Sequence, residues 1–226
     1  MTVPFYVAPE QLVRDKAEFA RKGIARGRSI VAIEYQHGIL LLAENPSRSL
    51  KKLSEVYDRV AFAGVGRYNE YETLRKGCIR QADLTGYLYS RNDVTAFGLA
   101  TAFSQTLGQI FSHEPKPFEV EVLVCEVGPT EEENRLFKVT YDGTMLDERD
   151  VAAIGGKGDA LEQALKAGYS EGMTLDAAIA LGIGSFRETE ERESEGWEAA
   201  VLDRHNGRRT FRRLAAAELS ATPAGD

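Results

Sequence analysis

The chain has 226 residues, 43% of them hydrophobic and 28% charged, the balance of a folded soluble domain with enough length to bury a core without covalent staples. Its formal charge of −7 argues against a general nucleic-acid surface, which needs a basic face. The two cysteines, Cys78 and Cys125, fall in a predicted helix and a predicted strand rather than a spaced framework. They read as buried thiols of a reducing compartment, and the cytoplasm is expected, since neither a secretory signal nor an apolar run of about 20 residues is visible.

Residues 1–8 (MTVPFYVA) are too few to fold alone. Phe5 and Tyr6 are poor residues for a solvated tail, so an ordered arm is expected. Pro9 to Lys22 predicts an amphipathic helix with Leu12, Val13, Lys16, Phe19 and Ala20 near one face, and Gly23 is expected as the left-handed residue that ends it. Strands are expected at Ser29–Tyr35 and Ile39–Glu44, joined by the Gln36-His37-Gly38 turn. The unbroken run Ile39-Leu40-Leu41-Leu42 predicts a strand covered on both faces. A third strand is expected at Val60–Val65, then helices at Asn69–Tyr89 and Val94–Ser112. Strands at Glu119–Val127, Arg135–Tyr141 and Val151–Ile154 follow, with helices at Asp159–Ala167 and Thr174–Phe186. The charged stretch Glu188–Gly196 reads as a loop, strands near Glu198–Asp203 and Thr210–Arg213 close the domain, and Ala215–Asp226 reads as a loose tail.

The order is strands, two helices, strands, two helices, strands. This predicts an α+β fold, a four-layer αββα sandwich in which each sheet covers one face with helices and the other with its partner sheet.

Few residues announce chemistry. Gly64-Val65-Gly66 lacks the third glycine of a dinucleotide loop, because Asn69 stands there, and a turn built from small residues is expected. Gly155-Gly156-Lys157-Gly158 lacks the spacing and the hydroxyl residue of a phosphate loop. His37, His113 and His205 lie in or beside turns and read as surface residues. No cofactor and no metal is expected. Thr2 could expose a free amine after loss of Met1, but a whole helix separates it from the first strand, so no base or oxyanion donor is held beside it. Cleavage at Gly143-Thr144 would leave too little chain for stacked sheets.

PEQLVRDKAEFARKGIARGRSIVA (residues 9–32) and HGILLLAENPSRSLKKLSEVYDRVAFAGVGRYNE (37–70) resemble the α subunit of the actinobacterial 20S proteasome. The likeness continues through the strand from Phe118 and the Tyr141-Asp142-Gly143-Thr144 segment and weakens after Ala167. It implies an N-terminal-nucleophile-hydrolase-like sandwich with an extra N-terminal helix, and a non-catalytic subunit. It also implies a seven-membered ring of identical α subunits capping a ring of proteolytic β subunits. The arm Thr2, Val3, Pro4, Phe5, Tyr6, Val7 and Ala8 would gate the axial pore. A hexameric ATPase activator would insert its C-terminal tails between α subunits to deliver chains tagged with a small protein modifier. Lys52, with Lys51 and Arg59 close by, is expected to hold the tail carboxylate.

In catalytic relatives a threonine heads the first strand and a lysine precedes the third. Arg28 or Gly27 stands at the first place and Arg59 near the second, so both functions are expected to be lost; arginine stays protonated and cannot tune a nucleophile as lysine does. The competing reading is a self-standing threonine hydrolase on the same scaffold, which would have to begin at a threonine that heads a strand.

Overall fold

A computed structural model describes residues 8–47, 49–190, 194 and 196–220. The described residues form two five-stranded antiparallel sheets stacked face to face, with a pair of helices on each outer face. The four-layer αββα sandwich read from the order of elements is the observed fold.

The first sheet is built on the hairpin of β1 (Ile30–Tyr35) and β2 (Gly38–Glu44), in which Val31 lies opposite Leu42 and Ile33 opposite Leu40. β8 (Val151–Ile154) pairs with β1, while β9 (Trp197–Asp203) pairs with β2 and β10 (Phe211–Arg213) completes the edge. The second sheet runs β3 (Leu53–Tyr57), β4 (Val60–Gly66), β5 (Val120–Glu126), β6 (Arg135–Val139), β7 (Met145–Glu148). Strand alternation splits the β2 run. Ile39, Leu41 and Ala43 face the other sheet, whereas Leu40 and Leu42 face α4 (Gly158–Gly168) and α5 (Leu175–Thr189). On the far side, Phe62, Val122, Val124 and Phe137 pack against α2 (Tyr68–Leu88) and α3 (Ala96–His113). Thr95 and Thr174 cap α3 and α5 by accepting from the amides of Gly98 and Ala177, each at 3.2 Å.

α1 (Pro9–Ile24) lies across one end of the sandwich, against β4 and β5. It plugs that end, since Ala20 and Ile24 belong to the core between the sheets. Lys16 is buried, but its ammonium is satisfied. It donates to the carbonyls of Phe111 (3.0 Å) and Glu114 (2.8 Å) at the C-terminal end of α3, where the helix dipole favours a cation. Gly23 does not end the helix, which continues to Ile24 and is followed by Ala25 in a right-handed conformation. The glycine answers a different need: a Cβ there would lie 2.0 Å from Oε2 of the buried Glu119. Of the apolar face read from the sequence, Lys16 and Ala20 are buried, joined by Ile24 beyond the expected end, while Leu12, Val13 and Phe19 stay 47–52% exposed.

Two strands were not expected. β3 and the exposed edge strand β7 both arise from segments read as connections. Gly64-Val65-Gly66 is the end of β4 paired with β5, not a turn. Gly66 has φ +110 and its α-carbon faces the carbonyl of Glu119 so closely that a Cβ would lie 1.9 Å from it, which only glycine tolerates. The beginning of the segment read as a tail is the short helix α6 (Ala216–Ser220), tied back by an Arg212–Glu218 ion pair of 2.7 Å. Residues 221–226 lie outside the described residues.

Candidate functional site: the head of the first strand and Lys52

Two of the residues that the resemblance singles out, Arg28 and Lys52, meet where β1 begins. Arg28 stands two residues before the strand, with its guanidinium on the carboxylate of Glu44 at the end of β2. Glu44 is buried, and the antiparallel register of β1 and β2 brings the two strand ends together. Lys52 immediately precedes β3, and its Nζ donates to the main-chain carbonyl of Arg28 at 2.5 Å. Desolvation lowers the Lys52 ammonium from the usual lysine range to about 8, with Arg28 pushing the same way and Glu198 and Glu44 opposing.

Glu198, in β9, organises the surroundings of Lys52. Its two oxygens accept from the amides of Lys52 (2.9 Å) and Leu53 (3.3 Å), from Asn45 Nδ2 (2.7 Å) and from Arg213 Nη1 (2.7 Å). Arg213 also donates to the carbonyl of Leu53 at 2.7 Å. The lysine is therefore presented by a strand end that Glu198 and Arg213 hold in place, a preorganised cation rather than a free surface charge.

This geometry corrects one expectation. With β3 at Leu53–Tyr57, the residue that precedes the third strand is Lys52, not Arg59. The lysine position is thus occupied by a lysine. What is missing is the nucleophile. Arg28 carries no hydroxyl or thiol, and its nitrogen is a peptide amide within a chain that continues back into α1, so it cannot act as a base. Arg59 lies in the turn at the opposite end of β3 and does not join Lys52. Its Nε donates to Glu126 Oε1 at 2.8 Å, and the other Glu126 oxygen accepts from the amide of Ala96 at 2.6 Å, so this arginine secures the start of α3. Lys51 is next to Lys52 and exposed.

Two of the three histidines, read from the sequence as unrelated surface residues, come together. His37 and His205 stack edge to face, 4.4 Å between ring centroids, beside the β1–β2 turn, and His113 ends α3. No group of histidine, cysteine and carboxylate side chains among the described residues could hold a metal ion. Cys78 and Cys125 are both buried, and burial pushes the Cys78 thiol up to about 12. No helix among the described residues is long and apolar enough to cross a membrane. Of the expected arm, residues 2–7 lie outside the described residues; Ala8 is exposed and its carbonyl accepts from the amides of Gln11 and Leu12 at the start of α1.

The sequence pattern of the family described as Proteasome subunit matches residues 24–202. The proteasome subunit alpha of Thermomonospora curvata is 52% identical over 97% of this chain and 96% of its own length. That of Streptosporangium roseum is 51% identical over 97% of this chain and 86% of its own, and that of Kineococcus radiotolerans 48% over 100% and 99%. With an arginine where a nucleophile would head the first strand, the chain belongs to the proteasome subunit family as a non-catalytic subunit of alpha type.

Proposed function

We propose that the chain builds a seven-membered ring of identical copies on a ring of proteolytic β subunits, admits substrates through an axial gate formed by residues 1–8, and receives the C-terminal tails of a hexameric ATPase at Lys52. The substrates on this reading are cytoplasmic chains tagged with a small protein modifier. The observation that carries the assembly is a pair of apolar surfaces that the folded chain leaves open. One is the outer stripe of α1, Leu12, Val13 and Phe19. The other is the end of α2 and start of α3, where Leu84, Tyr87, Leu88, Tyr89 and Phe97 are all more than half exposed. Phe97 also packs on Phe137 and Phe19 lies under the Lys116 ammonium, yet all of these side chains keep about half or more of their surface in solvent, and exposed apolar groups gathered in this way mark contact with other proteins.

The Lys52 reading rests on a partly buried cation at a fixed strand end, which suits a single carboxylate better than an exposed lysine would. The test of the whole is co-expression with the β subunit, followed by size measurement and peptide hydrolysis. A large particle that cleaves peptides is expected; a chain that stays monomeric beside the β subunit would overturn the reading.

A further inference from the structure

A groove of about 260 Å³ runs between the outer face of α1 and the Pro115-Lys116-Pro117 segment that links α3 to β5. Leu12 and Phe19 form one wall, 49% and 47% exposed, and Pro115 and Pro117 form the other. Leu12, Lys16 and Phe19 recur at helical spacing, so a single stripe of α1 faces the opening. Both walls are held by contacts inside the fold. The Lys16 ammonium ties α1 to the carbonyls of Phe111 and Glu114, just before the linking segment. Lys116 donates to Glu70 Oε1 at 2.6 Å and lies 3.1 Å from Glu119 Oε1. Its ammonium sits 5.5 Å from the centre of the Phe19 ring. The groove is therefore preformed.

The opening suits one aromatic side chain. A ring that enters it meets Phe19 on one side and proline carbons on the other, with the Lys116 ammonium as a cation–π partner. The chain carries such rings close by. Residues 1–7 lie outside the described residues, lead directly into Ala8 and include Val3, Phe5, Tyr6 and Val7. Leu12 lies about 6 Å along the helix axis from Ala8, at about 1.5 Å per residue. Phe5 is separated from Ala8 by about 10 Å of extended chain, so an arm that doubles back at Ala8 brings its ring to the Leu12 end of the groove. The short tether raises the effective concentration of this arm above that of any separate chain.

We propose that the groove between α1 and Pro115-Lys116-Pro117 seats the N-terminal arm of the same chain, with Phe5 as its anchor, when the axial gate is open. The inference rests on the gate reading given above and adds to it a second resting place for the arm. An arm released from the axis with its aromatic surface in water would be driven back; a groove that covers this surface stabilises the open state instead. Only Leu12 and Phe19 of the α1 stripe are used in this way. Val13, outside the groove, and the α2–α3 surface stay available for ring contacts.

The test is disulfide trapping in Pro4→Cys/Glu114→Cys, which keeps Phe5 and both walls, in the isolated chain and in the particle assembled with the β subunit. The native Cys78 and Cys125 are buried and do not compete. Oxidation is expected to link positions 4 and 114 within one chain about tenfold faster than in Pro4→Cys/Arg14→Cys, whose second thiol is nearer in sequence but outside the groove. Phe5→Ala or Phe19→Ser added to the first pair should slow the link about tenfold. In the particle, the oxidised pair should hydrolyse peptides as fast as a particle lacking residues 2–8, and reduction should return the rate to that of the unmodified particle. Equal rates for the two pairs, or no effect of Phe5→Ala and Phe19→Ser, overturn the proposal. Links between chains, seen as dimers on a non-reducing gel, place the arm on a neighbouring copy and also overturn it. If deleting residues 2–8 raises hydrolysis while the link fails to form, the seat is wrong and the gate stands. If the link forms and the deletion changes nothing, the gate reading falls and the open-state role falls with it.

Discussion

The ammonium of Lys52 is hydrogen-bonded to the main-chain carbonyl of Arg28, the residue at the head of β1. The pair joins the place where a catalytic relative keeps its nucleophile to the place proposed here for an activator tail. One lysine thus serves a strand end, and its partly desolvated charge is what a carboxylate would seek.

That displacement makes tail binding depend on pH. Lys52 titrates near 8, so the protonated fraction falls from about nine-tenths at pH 7 to about one-tenth at pH 9, while the Arg28 guanidinium stays charged. The affinity of a fluorescent activator-tail peptide for the assembled particle should therefore drop about tenfold across this range, read by anisotropy. Because the folded chain binds fewer protons at Lys52 than the unfolded chain between about 8 and 10.5, stability from this residue improves as pH rises through that window. A flat affinity profile, or full affinity in Lys52→Ala, would remove the lysine from the docking site.

Restoring a hydroxyl should not restore catalysis. Arg28→Thr is expected to show no peptide hydrolysis above background even though Lys52 and Glu44 remain, because the nitrogen of residue 28 is still an amide. The same change should lower Tm by several degrees, since it withdraws a guanidinium from the buried Glu44 carboxylate. Hydrolysis by the purified variant without a β partner would contradict the account of the missing nucleophile.

Gly23→Ala should destabilise the chain by about 2 kcal/mol, lowering Tm by about 4–8 °C, because the added methyl meets the Glu119 carboxylate. The effect should shrink when Glu119 is shortened to alanine in the same chain. Equal losses in both backgrounds would mean that helix propensity and close packing had been misjudged.

Charge on the α2–α3 surface should block assembly. Replacing Leu84 and Leu88 by glutamate places two anions on an exposed apolar face and touches no core residue. The monomer is expected to fold with unchanged Tm, while the assembled fraction on size-exclusion chromatography falls at least tenfold.

On the proposed gate, removing residues 2–8 should leave assembly intact and raise peptide hydrolysis by the complete particle, because apolar arms meeting at an axis would contribute only about a few kcal/mol across a ring. Unchanged hydrolysis would count against a gate.

Much of this was legible in the chain. The β1–β2 hairpin announces itself by β-branched and leucine residues around Gln36-His37-Gly38, and α1 by Pro9 and its spacing. β3 was hidden because Leu53-Ser54-Glu55-Val56-Tyr57 is short, charged at its centre and set between Lys51-Lys52 and Asp58-Arg59, so that sheet pairing with β4, not propensity, makes it a strand. Its omission displaced the lysine assignment to Arg59. Gly23 was misread for a related reason: nothing local reports a carboxylate that arrives from the start of β5.

The division of α1 sets where this polypeptide can be edited. From Pro9 to Asp15 every residue is exposed and answers to whatever it meets outside, so sequence can drift there without consulting the interior. From Lys16 to Ile24 every inward position is also a piece of the keel, so natural variation should crowd onto the first segment and thin out sharply along the second.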